Sequence, residues 1–220
     1  MHSPDPVASG PKTLFLVGAT GLVGQAVLQR ALGDPRVARI IAPTRRPLAP
    51  HPRLDNPIVD FDRLPSDAPW WRVDGAICTL GTTIRQAGSR EAFRKVDHDY
   101  PLAVARLLRA HGTVAFAFKS SMGADPKSGN FYLRTKGEAE TALGACGFPS
   151  LTLVRPGLLG GPRAEFRLGE RAALLVLRVM GPLLPRRFRI SPAGHVASAL
   201  LDAACGAVPG RHVVESGALA

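Results

Sequence analysis

Cysteine and aromatic residues are scarce in this chain, and acids are outnumbered by bases. The three cysteines, Cys78, Cys146 and Cys205, lie far apart. No Cys-x-x-Cys and no paired metal spacing is present, which reads as a reduced, cytoplasmic protein. The six histidines are scattered without a ligand-like pair, so no metal is expected. Aromatics make up 6% of the chain, and no recognition helix or RNA-stacking motif is visible. Nucleic acid is therefore not expected, although 28 Lys and Arg against 17 Asp and Glu leave a net charge of +11. No run reaches transmembrane length: the most apolar, residues 172–184, is broken by Arg178, Gly181 and Pro182. Residues 1–11, rich in Pro, Ser and Gly, lack the apolar core of a signal peptide and read as a loose tail.

What is present is an apolar fraction of 45% in 220 residues, enough for the core of one α/β domain over residues 12–220. Apolar runs of strand length alternate with segments of helical spacing. Strands are expected at 13–17, 37–44, 57–61, 76–80, 113–118, 151–154 and 212–214. Helices are expected from Gln25, and at 89–110, 130–145, 163–180 and 192–205. Such alternation predicts a doubly wound, Rossmann-type parallel sheet in three layers. The strand at 113–118 is apolar after its first residue, as a central strand is. The Pro-rich stretches 43–57 and 65–69 read as loops, and Trp70-Trp71 as a lid over the sheet edge. Residues from about 158 to 192 are expected to form a small C-terminal region on the substrate side.

The chain is organised around Gly18-Ala19-Thr20-Gly21-Leu22-Val23-Gly24, which joins the first strand to the first helix. Gly18 permits the tight turn, Gly21 a close approach to a pyrophosphate, and Gly24 close helix–strand packing. The helix N-terminus offers unpaired N–H groups to an anion. Thr20, Leu22 and Val23 complete this expected dinucleotide contact.

Thr44-Arg45-Arg46 ends the second strand, where a dinucleotide fold reads the adenosine ribose. Two arginines in place of a carboxylate suit a 2′-phosphate and predict NADP(H); the bland alternative is a pair of solvated arginines. Asp60 and Asp62 end the third strand, Asp62 being the better placed to border the adenine. Leu80-Gly81-Thr82-Thr83 follows the fourth strand, with a small residue for close approach and hydroxyls for ribose or phosphate.

Tyr132 and Lys136 lie four residues apart on a helix and so share a face. A neighbouring ammonium stabilises phenolate, which lets tyrosine exchange a proton with a substrate oxygen. The lysine is also placed to hold the nicotinamide ribose. Ser120-Ser121 ends the fifth strand, and a serine there serves the substrate carbonyl. Ser121 is preferred and Ser120 is the alternative.

These motifs resemble the short-chain dehydrogenase/reductase superfamily, and most of all its atypical branch of Tat-interacting-protein and NmrA-like proteins. The carrying residues are the glycine turn, Cys78-Thr79-Leu80-Gly81-Thr82-Thr83, Ser120-Ser121-Met122-Gly123-Ala124-Asp125, Tyr132-x-x-x-Lys136-Gly137-Glu138 and Val154-Arg155-Pro156-Gly157. The resemblance implies a Rossmann core binding NADP(H), with Ser121, Tyr132 and Lys136 as the catalytic set. It also implies that Pro156, Gly157 and Leu158 border the nicotinamide amide. One position departs from the pattern: many relatives carry asparagine where the long helix here has Asp97. The branch includes regulatory members, so the alternative to an oxidoreductase is a sensor that binds NADP(H) with little turnover. The intact Ser121, Tyr132 and Lys136 favour the enzyme.

In the basic segment 163–180, Arg163, Arg167, Arg171 and Arg178 fall within an arc of about 80° on a helix. A core-packing helix with a solvated basic stripe is the plain reading. Contact with an anionic membrane or an acidic partner is the sharper one. Cys78, inside a strand, reads as a small buried hydrophobe.

Overall fold

The computed structural model describes residues 10–160 and 190–220. Strand β1 (Lys12–Val17) leads through the glycine turn into α1 (Leu22–Gly33), and β2 (Val37–Ile41) and β3 (Leu54–Asp55) follow. Next come β4 (Gly75–Cys78) and two short helices, α2 (Ile84–Ala87) and α3 (Arg90–Arg94). A π-helical turn (Lys95–Asp99) joins α3 to α4 (Tyr100–Ala110). Then follow β5 (Ala115–Lys119), α5 (Phe131–Gly144), β6 (Ser150–Arg155) and β7 (Leu159–Gly160). The chain continues with β8 (Ser191–Pro192), α6 (Ala193–Gly206) and β9 (Gly210–Glu215).

Seven strands form one sheet in the order β3-β2-β1-β4-β5-β6-β9, and every pairing is parallel. The direction of winding reverses between β1 and β4, so a crevice opens at their carboxyl ends, where such sheets bind ligands. Alternate side chains of each strand reach opposite layers. Leu14, Leu16, Ile77 and Ala117 pack against Val23 and Val27 of α1 and Val196 and Leu200 of α6. Phe15, Cys78, Phe116 and Phe118 pack against Val104 and Leu108 of α4 and Ala139 and Leu143 of α5. This is the three-layer Rossmann sandwich the alternation predicts. The strand at 113–118 appears as β5, an interior strand.

Two expectations need correction. The third strand is not at 57–61 but at Leu54–Asp55, inside the stretch read as a loop. Pro57 has no N–H to give a ladder, yet its carbonyl accepts from Thr44 N–H, leaving only a bridge between Thr44 and Ile58. The tryptophans do not cap a sheet edge. Trp71 is fully buried, packs 5.2 Å from the ring of Phe15 on the interior strand β1, and donates its indole N–H to Pro65 O at 2.6 Å. The basic segment 163–180 and most of the tail lie outside the described residues. No described helix is long and apolar enough to cross a membrane.

Candidate active site

The glycine turn is built as its spacing suggests. Gly18 has φ +89°, in the region that favours glycine. A side-chain carbon on Gly24 would lie 2.0 Å from Gly18 O, so α1 rests directly on the turn. Gly21 caps α1 without a side chain, so no capping side chain competes with an anion for the first-turn N–H groups. Thr79, to which sequence reasoning gave no role, locks the turn to β4: its hydroxyl lies 3.0 Å from Val17 O and 3.1 Å from Gly18 O. At Gly18 and Gly24 the turn leaves no room for a side chain, and the cradle so formed fits a dinucleotide pyrophosphate. A cavity of about 480 Å³ lined by Arg30, Arg36, Ser198 and Asp202 lies at the other end of α1 and holds none of the candidate residues.

Arg45 and Arg46 are exposed just beyond β2, and neither guanidinium has an ion pair or hydrogen bond among the described residues. Asn56, a second residue sequence reasoning missed, sets the loop that carries them. Its amide donates to Ala42 O at 2.6 Å and Thr44 Oγ1 at 2.8 Å, and its oxygen accepts from Leu48 N–H at 2.7 Å. Asp62 is also exposed, but the structure engages it with the long helix. It accepts from Tyr100 OH at 2.9 Å and pairs with Lys95 Nζ at 2.7 Å, and Lys95 and Tyr100 hold its carboxyl below the ordinary range.

Beyond β4, Gly81 is open to solvent and Thr82 half-buried. The Thr83 hydroxyl accepts from Gln86 N–H at 3.1 Å, so it caps α2. Tyr132 and Lys136 sit on the first two turns of α5, which Asn130 caps through Leu133 N–H. Tyr132 is half-buried, its ring 5.6 Å from that of Phe93 on α3. Lys136 is buried, with 1% exposure. Its Nζ stands 2.7 Å from Asp97 Oδ1 and 5.3 Å from the centre of the Phe118 ring. Neither Lys136 Nζ nor Asp97 Oδ1 is aligned as a hydrogen bond, so the contact is an ion pair. Burial pushes the Lys136 pKa down, but the Asp97 carboxylate, with Tyr132, more than reverses this and raises it. Beneath them, burial pushes the Cys78 thiol up to about 12, which keeps it a thiol and no nucleophile.

The two serines have different surroundings. Ser120 is buried and donates to Glu140 Oε1 at 2.5 Å. Ser121 is half-buried, and its hydroxyl has only a long contact of 3.4 Å to Met122 O. Glu140, itself 2% exposed, also receives Arg155 Nε at 2.9 Å and a terminal Arg155 nitrogen at 2.6 Å. Arg155 reaches Glu215 as well, at 3.1 Å. One buried carboxylate thus ties together the ends of β5, β6 and β9 and the middle of α5. Removing one partner of a buried pair strands the other charge, at a cost of about 3–5 kcal/mol. Glu140→Ala is expected to lose stability on that scale, seen as a lower urea midpoint; a loss below about 1 kcal/mol contradicts it.

Pro156, Gly157 and Leu158 leave β6 beside the serines: Met122 N–H donates to Pro156 O at 2.9 Å. Gly157 N–H donates to Ser191 Oγ at 3.1 Å, while Leu158 is exposed. Glycine turn, β4 loop, serines, Tyr132–Lys136 and Pro156–Leu158 thus all lie at the carboxyl ends of the strands.

No family model matches the chain. Protein HTATIP2 of Rattus norvegicus is 37% identical over 164 residues, 72% of this chain and 67% of that protein. Protein fmp52, mitochondrial, of Emericella nidulans is 36% identical over 176 residues, 76% of this chain and 75% of that one. Two solved structures share the fold at low identity. The PhqB reductase domain from Penicillium fellutanum aligns with a TM-score of 0.66 and 21% identity, over 94% of this chain and 68% of that one. Bordetella bronchiseptica WbmH in complex with NAD+ aligns at 0.66 and 14%, over 93% and 75%. Sheet order, glycine turn and these likenesses define a Rossmann domain of the short-chain dehydrogenase/reductase type. Within that class, the chain belongs to the atypical short-chain dehydrogenase/reductase branch of HTATIP2 and fmp52.

The cytoplasmic expectation is overturned by the same comparison, because the fmp52 relatives are named mitochondrial. Unpaired cysteines distinguish reducing from oxidising surroundings; they do not distinguish one reducing compartment from another.

Proposed function

We propose that the chain is an NADP(H)-dependent oxidoreductase that interconverts a small carbonyl compound and its alcohol. The observation that carries this reading is the buried Lys136, held charged by Asp97, one helical turn from the half-buried Tyr132. A buried ammonium is costly, and beside a phenol it favours the phenolate that proton exchange needs.

Gly18, Thr20, Gly21, Leu22, Val23 and Gly24 hold the pyrophosphate against the N-terminus of α1. Leu80, Gly81, Thr82 and Thr83 would support the cofactor past β4, Asp62 would border its adenine side, and Pro156, Gly157 and Leu158 would face its amide end. A nicotinamide cofactor bound there would supply or take up the hydride. Tyr132 gives a proton to the carbonyl oxygen in reduction and takes it back in oxidation. Lys136 stabilises the phenolate left behind and holds the ribose. Ser121 donates a hydrogen bond to the reacting oxygen, for which Ser120 is committed elsewhere by its bond to Glu140.

Arg45 and Arg46 select the 2′-phosphate. Each charge-assisted hydrogen bond is worth about 1.5–3 kcal/mol, so NADPH is expected to bind roughly 10²-fold more tightly than NADH. Arg45→Ala with Arg46→Ala should remove most of that preference while NADH affinity stays put. Fluorescence titration of both cofactors tests this; equal affinities in the unaltered protein contradict it.

A further inference from the structure

We propose that Asp97 is a positioning residue: one carboxylate ties Lys136 to the loop that supports the cofactor, so that seating the cofactor and placing the lysine are one event. The role in turnover rests on the function proposed above, whereas the tie itself is a matter of contacts.

The π-helical turn Lys95–Asp99 sets the geometry. A π turn rotates the side chains that follow it out of α-helical register, and such turns recur at functional sites. Here Asp97 points inward at 1% exposure, while Lys95 and Asp99 are exposed. The two carboxylate oxygens serve different elements. Oδ1 pairs with Lys136 Nζ on α5 at 2.7 Å. Oδ2 accepts from Thr82 N–H, beyond β4, at 2.8 Å. Gly81 lets the loop lie this close: a side-chain carbon there would come within 3.3 Å of Asp97 Oδ1 and 3.0 Å of Lys119 Nζ.

An aspartate suits both partners at once. A carboxylate has two acceptor oxygens, one for each partner. An asparagine has one oxygen, and its amide would turn N–H donors toward whichever partner the oxygen did not serve. The groups facing this carboxylate are Lys136 and, beyond it, Tyr132 on α5, Lys119 on β5, Cys78 on β4 and the Thr82 N–H. Lys136 Nζ lies 2.7 Å from the carboxylate, which secures the lysine's protonation against burial. A cofactor that presses on Leu80–Gly81–Thr82 therefore acts, through one side chain, on the lysine that faces Tyr132.

The test follows the side-chain carbon next to Nζ in ¹³C-labelled lysine by NMR, with Lys136→Arg identifying the resonance, and titrates NADPH by fluorescence over the same pH range. In the unaltered protein the Lys136 resonance is expected to titrate above the ordinary lysine value of about 10.4. In Asp97→Asn it should titrate at least about one pH unit lower, and NADPH should bind about 10-fold more weakly. Asp97→Glu should restore the lysine titration in part. A Lys136 titration at or below the ordinary value in the unaltered protein overturns the proposal, even if the variants fail to fold. So does an Asp97→Asn protein in which both titration and NADPH affinity are unchanged. If the lysine and binding shifts appear but the unaltered protein turns over no substrate, the tie stands and the oxidoreductase reading falls.

Discussion

Tyr132→Phe is expected to lower turnover by about 10²–10⁴-fold, the usual worth of a positioned general acid–base group, while leaving NADPH affinity within a factor of a few. The change keeps the ring that packs 5.6 Å from Phe93, so α3 and α5 stay together. It removes one oxygen, the group proposed to exchange a proton with the substrate. An interaction made mainly in the transition state lowers kcat and kcat/KM together. Steady-state NADPH oxidation by the two proteins on one carbonyl substrate reads this directly. Full activity in Tyr132→Phe contradicts the mechanism and leaves the fold untouched. A cofactor sensor behaves differently, with unchanged binding and no turnover to lose.

Lys136→Met is expected to have a larger effect, because it damages three things at once. Turnover should fall at least as far as in Tyr132→Phe, since the phenolate loses its cation. Cofactor affinity should fall with it, through the lost ribose contact. Stability should drop by about 3–5 kcal/mol, because Asp97, 1% exposed, is left buried without its ammonium. A double change separates these effects. Lys136→Met with Asp97→Asn removes the stranded charge and keeps an acceptor for Thr82 N–H, so most of the stability should return while turnover stays lost. Urea unfolding and NADPH oxidation on the single and double variants check both parts. A single variant as stable as the unaltered protein would show that the pair is not the buried contact described.

Much of this arrangement is legible in the residues. β1 and α1 follow from the switch between an unbroken apolar run and helical spacing, and the glycines at the switch have a steric reason at Gly18 and Gly24. Tyr132 and Lys136 share a face by period alone. The third strand is not legible, because Pro57 breaks its ladder and Asn56 joins the neighbouring loop by a side chain. Asp97 is harder still. Helical periodicity assumes 3.6 residues per turn, and the π turn departs from it at this residue. Glu140 and Arg155 carry no spacing signal that links them, yet they pair around a buried carboxylate. Its partners come from four elements that only the folded sheet brings together. The Trp71 error has the same origin: two aromatics beside a proline-rich loop suggest a cover, and burial against Phe15 needs the crossover from β3 to β4 to be known.

The proposed reaction moves hydride between a nicotinamide and a substrate carbon. Transfer of deuterium from NADPH labelled at the reactive nicotinamide carbon tests it most directly. The unaltered protein is incubated with labelled NADPH and a panel of aldehydes and ketones, and the alcohols formed are analysed by mass spectrometry. Deuterium is expected on the former carbonyl carbon of at least one product, with the label strongly reduced in Tyr132→Phe. No label in any product, under conditions where NADPH binds, would contradict the oxidoreductase and leave a protein that binds its cofactor without using it.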